Sequence, residues 1–374
     1  MRIAVNTRLL LPNRLEGIGW FTHETLSRIA RWHPEHEFIF LFDRAYAEEF
    51  IYSDNITPVV IGPQSRHPVL WWLWFELSVP RALKKHRADV FLSPDGYSSL
   101  RTKVPCVPVI HDLNFEHYPK DLPPLYSWYY RHYFPLYARD AARVATVSEY
   151  SKQDIANSYG VDPGKIDVVY DGANELYQPI SAEAISATRQ QFTKGTPYFL
   201  FVGALHPRKN LVNLFKAFDQ FRKGTDSDVK LVIVGEKKWW TDDMRTTWEG
   251  MQFRDEVVFA GRLGADELKN VIASALAMVY VSYFEGFGIP ILEALYCDVP
   301  VLTSETTSMP EVAGDAGILV DPFSVEAIAE GMRKLAVDAD LRTQLIANGR
   351  QQRQKFSWDK TAERLWRCIE GVSR

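Results

Sequence analysis

LAMVYVSYFEGFGIPILEALYCDVP, residues 276–300, decides how the chain folds. Its opening run, LAMVYVSY, is a buried-strand pattern, nearly continuous in apolar residues. Gly286 and Gly288 then open the backbone for a turn with close approach to something, and Pro290 suits the first helical position of a short helix, ILEALYC. Strand, turn and helix in that order are the elements of a βαβ unit with a parallel sheet.

Outward from this stretch the same alternation occurs twice. In the first half, strands are predicted over 2–6, 37–42, 89–93, 107–110, 143–147 and 166–169; in the second, over 198–202, 230–234, 257–260, 278–283, 299–303 and 317–320. A chain of 374 residues exceeds what one hydrophobic core usually serves, so two domains follow. Gly172, Pro179 and Gly195 punctuate the region between the two sets. The expected domains are 1–178 and 179–356, with a terminal helix over 357–374 that either stays with the second domain or returns to the first.

Bulk properties exclude several classes. A formal net charge of −4 and a pI near 6.2 offer no electrostatic footprint for nucleic acid. Three widely separated cysteines, Cys106, Cys297 and Cys368, make neither a disulfide framework nor a CxxC zinc site, so a cytoplasmic setting is expected. The N-terminal MRIAVN reads as a strand rather than a leader, and no run approaches the length of a spanning helix.

Glu285 lies in the glycine turn and Glu293 three residues after Pro290, so both can face the space before the helix N-terminus. Unpaired N–H groups and the helix dipole suit that space to an anion. Carboxylates beside an anion are better employed in accepting hydrogen bonds from neutral hydroxyls. A ligand with a diphosphate and sugar diols, a nucleotide sugar, satisfies both. GALHPRKN, residues 203–210, supplies the cations Arg208 and Lys209 just past the strand YFLFV. Ligands of open α/β sheets bind at such carboxyl ends.

EGFGIPILE, with seven residues between its glutamates, the RKN at 208–210, the SMPEVAGDAGILVDP from Ser308 and the GIG at 17–19 together resemble retaining glycosyltransferases of the GT-B fold, family 4. The HD pair at 111–112, VSEYSK from Val147 and FSWDKTA near the end extend the resemblance over nearly the whole chain. It implies an α/β fold of two Rossmann-like domains facing each other across a cleft. The second domain would hold the nucleotide sugar: Glu293 on the ribose, Glu285 on the donor sugar, Arg208 and Lys209 on the diphosphate, with Gly203 and the N–H groups of Gly286, Phe287 and Gly288 around them. In the first domain Gly17 and Gly19 would form a loop approaching sugar and phosphate, and His111 would touch the sugar near the reaction centre. The chain departs from the pattern at Ala204, where many members carry Arg or Ser.

The activity implied is hexosyl transfer with retained configuration, mannose from GDP-mannose being favoured, to a saccharide or lipid-linked saccharide acceptor in polysaccharide or glycolipid synthesis. UDP-glucose and related donors stay open. No metal or other cofactor is expected, because the DxD pairs Asp226/Asp228 and Asp338/Asp340 read as solvated connections. Residues 68–87 and 123–143 combine aromatic and basic side chains, so core, acceptor groove and peripheral contact with the inner face of the cell membrane are alternatives. Two other classes compete: a catalytically silent sugar-nucleotide-binding partner subunit, which the retained Glu285, Glu293, Arg208 and Lys209 oppose, and a nicotinamide-dependent dehydrogenase, which lacks GxGxxG after its first strand.

Overall fold

The computed structural model describes residues 1–12 and 15–372. The chain divides into two compact units, one formed by Met1–Asp171 with the terminal segment from Trp358, the other by Gly172–Ser357. The division thus falls seven residues before the predicted one. The linker residues 172–181 and the helix Ala182–Thr193 belong to the second unit, where Arg189 donates to the Ser274 carbonyl at 2.9 Å.

In the first unit β1 (Arg2–Asn6), β2 (Glu37–Phe42), β3 (Ile56–Val60), β4 (Val90–Ser93) and β5 (Cys106–Pro108) form a parallel sheet in the order β3-β2-β1-β4-β5. A bridge between Val109 and Ala145 joins it to the pair β6 (Val144–Thr146) and β7 (Ile166–Val168). β3 was not expected from sequence. Its residues ITPVV are half-exposed and include Pro58, which only an edge strand tolerates.

The second unit carries β8 (Tyr198–Val202), β9 (Lys230–Val234), β10 (Val257–Gly261), β11 (Ala277–Tyr280), β12 (Val301–Ser304) and β13 (Gly317–Val320), all parallel, in the order β10-β9-β8-β11-β12-β13. β8 and β11 are wholly buried, as their unbroken apolar sequences require. The chain winds from β8 outward through β9 and β10, then crosses back to start β11 on the other flank of β8. This reversal opens a crevice at the carboxyl ends of β8 and β11. The first unit repeats the device between β1 and β4.

The terminal helix Trp358–Glu370 belongs to the first unit. It buries Trp358, Ala362, Leu365, Trp366 and Ile369, and Asp359 accepts from Arg28 Nε at 2.6 Å. Of the aromatic segments, Trp71, Trp74, Phe75, Tyr129, Phe134 and Tyr137 are core. Val69, Leu125 and Trp128 are exposed, and Trp128 lines a hollow of about 700 Å³ with Lys120, Arg131 and His132. No helix among the described residues is long and apolar enough to cross a membrane.

Candidate active site

Both loops at the β8/β11 reversal are held in place by their own backbones. After β8, Gly203 takes φ +150°, and a short 3-10 turn, Pro207–Lys209, ends at Asn210 in the left-handed region (φ +61°). Asn210 Nδ2 donates to the carbonyls of Val281 and Pro322 at 2.9 and 2.7 Å, tying the turn to the segments after β11 and β13. The Tyr283 N–H returns the link to the Arg208 carbonyl at 2.8 Å. The basic loop is therefore pinned against the acidic one.

Within this frame Glu285, 5% exposed, accepts from Arg208 Nη1 on Oε2 at 2.7 Å and from Lys209 Nζ on Oε1 at 2.6 Å. Lys209 also donates to the Tyr280 hydroxyl, which itself donates to Glu285 Oε1 at 3.0 Å. Burial pushes the Glu285 carboxyl up, but Arg208 and then Lys209 outweigh it and hold the group down at about 2. Two cations and one carboxylate leave the cluster with a net positive charge in a low-dielectric setting, where an incoming anion is worth most.

The glycine turn beside it is equally constrained. Ser308 Oγ donates to the carbonyls of Glu285 and Phe287, both at 2.9 Å, so the SMPEV segment acts as a clamp. Gly288 adopts φ +107° as the residue before the helix Ile289–Tyr296, and a Cβ there would stand 3.1 Å from Ile291 Cδ1. Phe287 is buried edge-on against Phe356 at 5.4 Å, so its side chain serves packing.

Glu293 occupies the second turn of that helix and makes a separate contact, a hydrogen bond from Tyr177. Burial raises its carboxyl to about 7, against the smaller lowering by Tyr177. The two glutamates at the turn are thus in opposite states: Glu285 is locked ionised, whereas Glu293 is balanced near neutrality.

The first unit places the other expected residues. His111 follows β5, with Nε2 2.8 Å from the Pro94 carbonyl and its ring edge-on to Phe21 at 4.9 Å. Burial holds this imidazole below its ordinary value, so it is neutral at pH 7. Asp112 caps the following turn, its Oδ1 accepting from the Asn114 N–H at 3.0 Å. Ser148 likewise caps the helix Glu149–Tyr159 through the Ser151 N–H at 3.0 Å.

Gly17 and Gly19 do not form the loop expected of them; they are the first turn of the helix Gly17–Trp32. Gly19 is needed there because a Cβ would approach the Leu9 carbonyl oxygen to 3.0 Å, whereas nothing lies within 4 Å of one at Gly17. Of the DxD pairs, Asp338 caps the helix Ala339–Gln352 through the Leu341 N–H at 2.8 Å. Sequence reasoning missed Tyr280, Tyr177 and Ser308, and also the buried Arg8–Asp95 pair at the β1/β4 reversal, where Nε meets Oδ2 at 2.6 Å. Arg8 lies two residues past the end of β1, and that position was its signal.

Residues 184–352 match the model of glycosyl transferases group 1, and residues 15–175 match that of Glycosyltransferase Family 4. The chain is 27% identical over 362 residues to the O-antigen chain mannosyltransferase B of Escherichia coli, covering 92% of this chain and 93% of that one. It is 27% identical over 283 residues to the O-antigen chain mannosyltransferase RfbU of Salmonella typhimurium, covering 74% of each. Its fold is similar to that of WaaG, a glycosyltransferase involved in lipopolysaccharide biosynthesis (TM-score 0.76, 19% identity, 99% and 100% covered). It is similar also to Anabaena HepE, solved with UDP and glucose (TM-score 0.76, 17% identity, 99% and 100% covered).

Proposed function

The chain is a hexosyltransferase of the GT-B fold, and from that premise we propose that it moves mannose from GDP-mannose, with retained configuration, to a saccharide or lipid-linked saccharide acceptor in polysaccharide synthesis. The observation that carries the reading is the clamp of Arg208 and Lys209 on Glu285 at the β8/β11 reversal. The names of the O-antigen mannosyltransferases to which the chain is similar support the choice of sugar.

The donor diphosphate lies against Arg208 and Lys209 and the backbone of the glycine turn. Charge that develops on it as it leaves is met by groups already in place, so no reorganisation is needed in the transition state and no metal is called for. Glu285, anchored from behind by both cations, accepts from a sugar hydroxyl, and Glu293 accepts from the ribose diol. The bond from the anomeric carbon to the phosphate oxygen breaks while the bond to the acceptor oxygen forms on the same face. The acceptor's proton passes to the departing phosphate.

Exposed Val69, Leu125 and Trp128, with Lys120 and Arg131 nearby in the last case, support peripheral contact with an anionic membrane at the cytoplasmic face, where a lipid-linked acceptor would lie. Thermal stabilisation of the purified chain by GDP, UDP, ADP and their sugars tests the donor, since a ligand of the folded state raises Tm. GDP and GDP-mannose should stabilise most, and proton NMR of the product should show the α-anomer of an α-linked donor. Preference for UDP or ADP sugars, or an inverted product, overturns the proposal.

A further inference from the structure

We propose that the turn between the helix Gly17–Trp32 and β2 is a binding site for a borderline divalent transition metal, Zn2+ in the first instance, held by His33 Nδ1, Glu35 and His36 Nε2. The site lies in the first unit and plays no part in the transfer described above. Its sequence is HPEH, residues 33–36.

Both imidazoles converge on one carboxylate oxygen. His33 Nδ1 and His36 Nε2 each stand 3.4 Å from Glu35 Oε1, and the three ligand atoms lie within 4.8 Å of one another. Ligands of a tetrahedral ion at about 2.0–2.1 Å are about 3.3 Å apart, so both nitrogen-to-oxygen edges already have the length a bound zinc requires. The edge left to close is that between the two imidazole nitrogens, which lie within 4.8 Å of each other, so zinc binding draws the His33 and His36 rings together while Glu35, with its side chain 60% exposed, follows. Two imidazoles and a carboxylate suit zinc or its neighbours and exclude magnesium and calcium, which take oxygen ligands.

The turn is organised before any ion arrives. Asn55 Nδ2 lies 3.0, 3.1 and 3.0 Å from the carbonyls of Ala30, His33 and His36, fixing the backbone on both sides of Pro34. The indole of Trp366 stacks on the ring of His33 at 3.7 Å and 17°, and on that of His36 at 5.1 Å and 30°. Both rings are therefore held in plane on one platform. The Met1 amino nitrogen lies 2.9 Å from His36 Nδ1, so zinc binding through Nε2 requires the ring proton on Nδ1 and the amine in its neutral form accepting from it. With three protein ligands the ion keeps a position open to water.

The test is isothermal titration of ZnCl2 into the untagged full chain after chelator treatment, with Tm followed in parallel. One equivalent should bind and raise Tm. His33→Gln with His36→Gln should abolish that binding, and Glu35→Gln should weaken it by on the order of tenfold or more, while hexosyl transfer by each variant is unchanged. Absence of a one-equivalent zinc site in the native chain, or binding unaltered in the variants, overturns the proposal. If the double variant fails to fold, Glu35→Gln alone decides, because its exposed side chain carries no packing.

Discussion

Replacing Lys209 by Met keeps the length of the side chain and removes its charge from a buried cluster. In the native chain Glu285 sits at about 2, below the ordinary ~4.3 of a glutamate, which corresponds to roughly 3 kcal/mol of preference for its ionised form. Because the folded value is depressed, this stabilisation is present above about pH 4.3 and is lost as pH falls toward 2. Lys209→Met leaves Arg208 alone against the burial cost, so the Glu285 value rises and the pH-linked stabilisation shrinks. Removing one partner of a buried pair costs about 3–5 kcal/mol, and the surviving Arg208 contact keeps the loss near the lower end. Urea denaturation at pH 7 and pH 3 should show a variant about 2–3 kcal/mol less stable at pH 7 and a gap about half as large at pH 3, where native Glu285 is still ionised, the gap closing only as pH approaches 2. Hexosyl transfer should fall at least tenfold, about 1.4 kcal/mol in the barrier. A constant stability gap at both pH values, or near-native transfer, would refute the clamp as the source of site electrostatics.

Glu293 gives the opposite sign. Raised to about 7, it costs stability as pH climbs from the ordinary glutamate range through 7, and GDP affinity measured by calorimetry should strengthen from pH 6 to 8 as the carboxylate forms. Glu293→Gln should flatten that profile and weaken GDP at least tenfold, about 1.4 kcal/mol. Gly235, at φ +150°, has no room for a Cβ, which would lie 1.9 Å from the Gly203 oxygen. Gly235→Ala should therefore cost more than about 3 kcal/mol or abolish expression of folded protein, checked by circular dichroism. Ser308→Ala frees two carbonyls of the glycine turn and should reduce stability by about 1–2 kcal/mol while raising KM for the donor. Truncation before Trp358 uncovers the apolar contacts of the terminal helix and should lower the melting temperature of the first unit, seen by calorimetry.

Strand, turn and helix were legible wherever the signal is local. The run YFLFV and the segment VYVSYFEGFGIPILEALY carry their own periodicity and their own breakers, so β8, β11 and the helix from Ile289 follow from neighbouring residues alone. The residue types of the glycine turn were legible for the same reason, and Arg208, Lys209 and Glu285, singled out in the sequence, do come together. β3 was not legible, because half-exposed ITPVV becomes a strand only through its neighbour β2. Gly17 and Gly19 misled because glycine is compatible with both loop and helix, and only the approach of Leu9 and Leu15 chooses.

What the sequence alone determined was an alternation of buried strands and amphipathic helices in two sets, with cations in the loop after β8 and carboxylates and glycines in the segment after β11. Strand order was decided by tertiary structure. Placing β11 beside β8 brings residues 208, 209 and 285 within hydrogen-bond reach, and it turns two cations and a carboxylate into one positively charged cluster. It also sets Glu285 and Glu293 on opposite sides of neutrality, because burial and neighbouring charge, not residue type, fix the cost of ionisation.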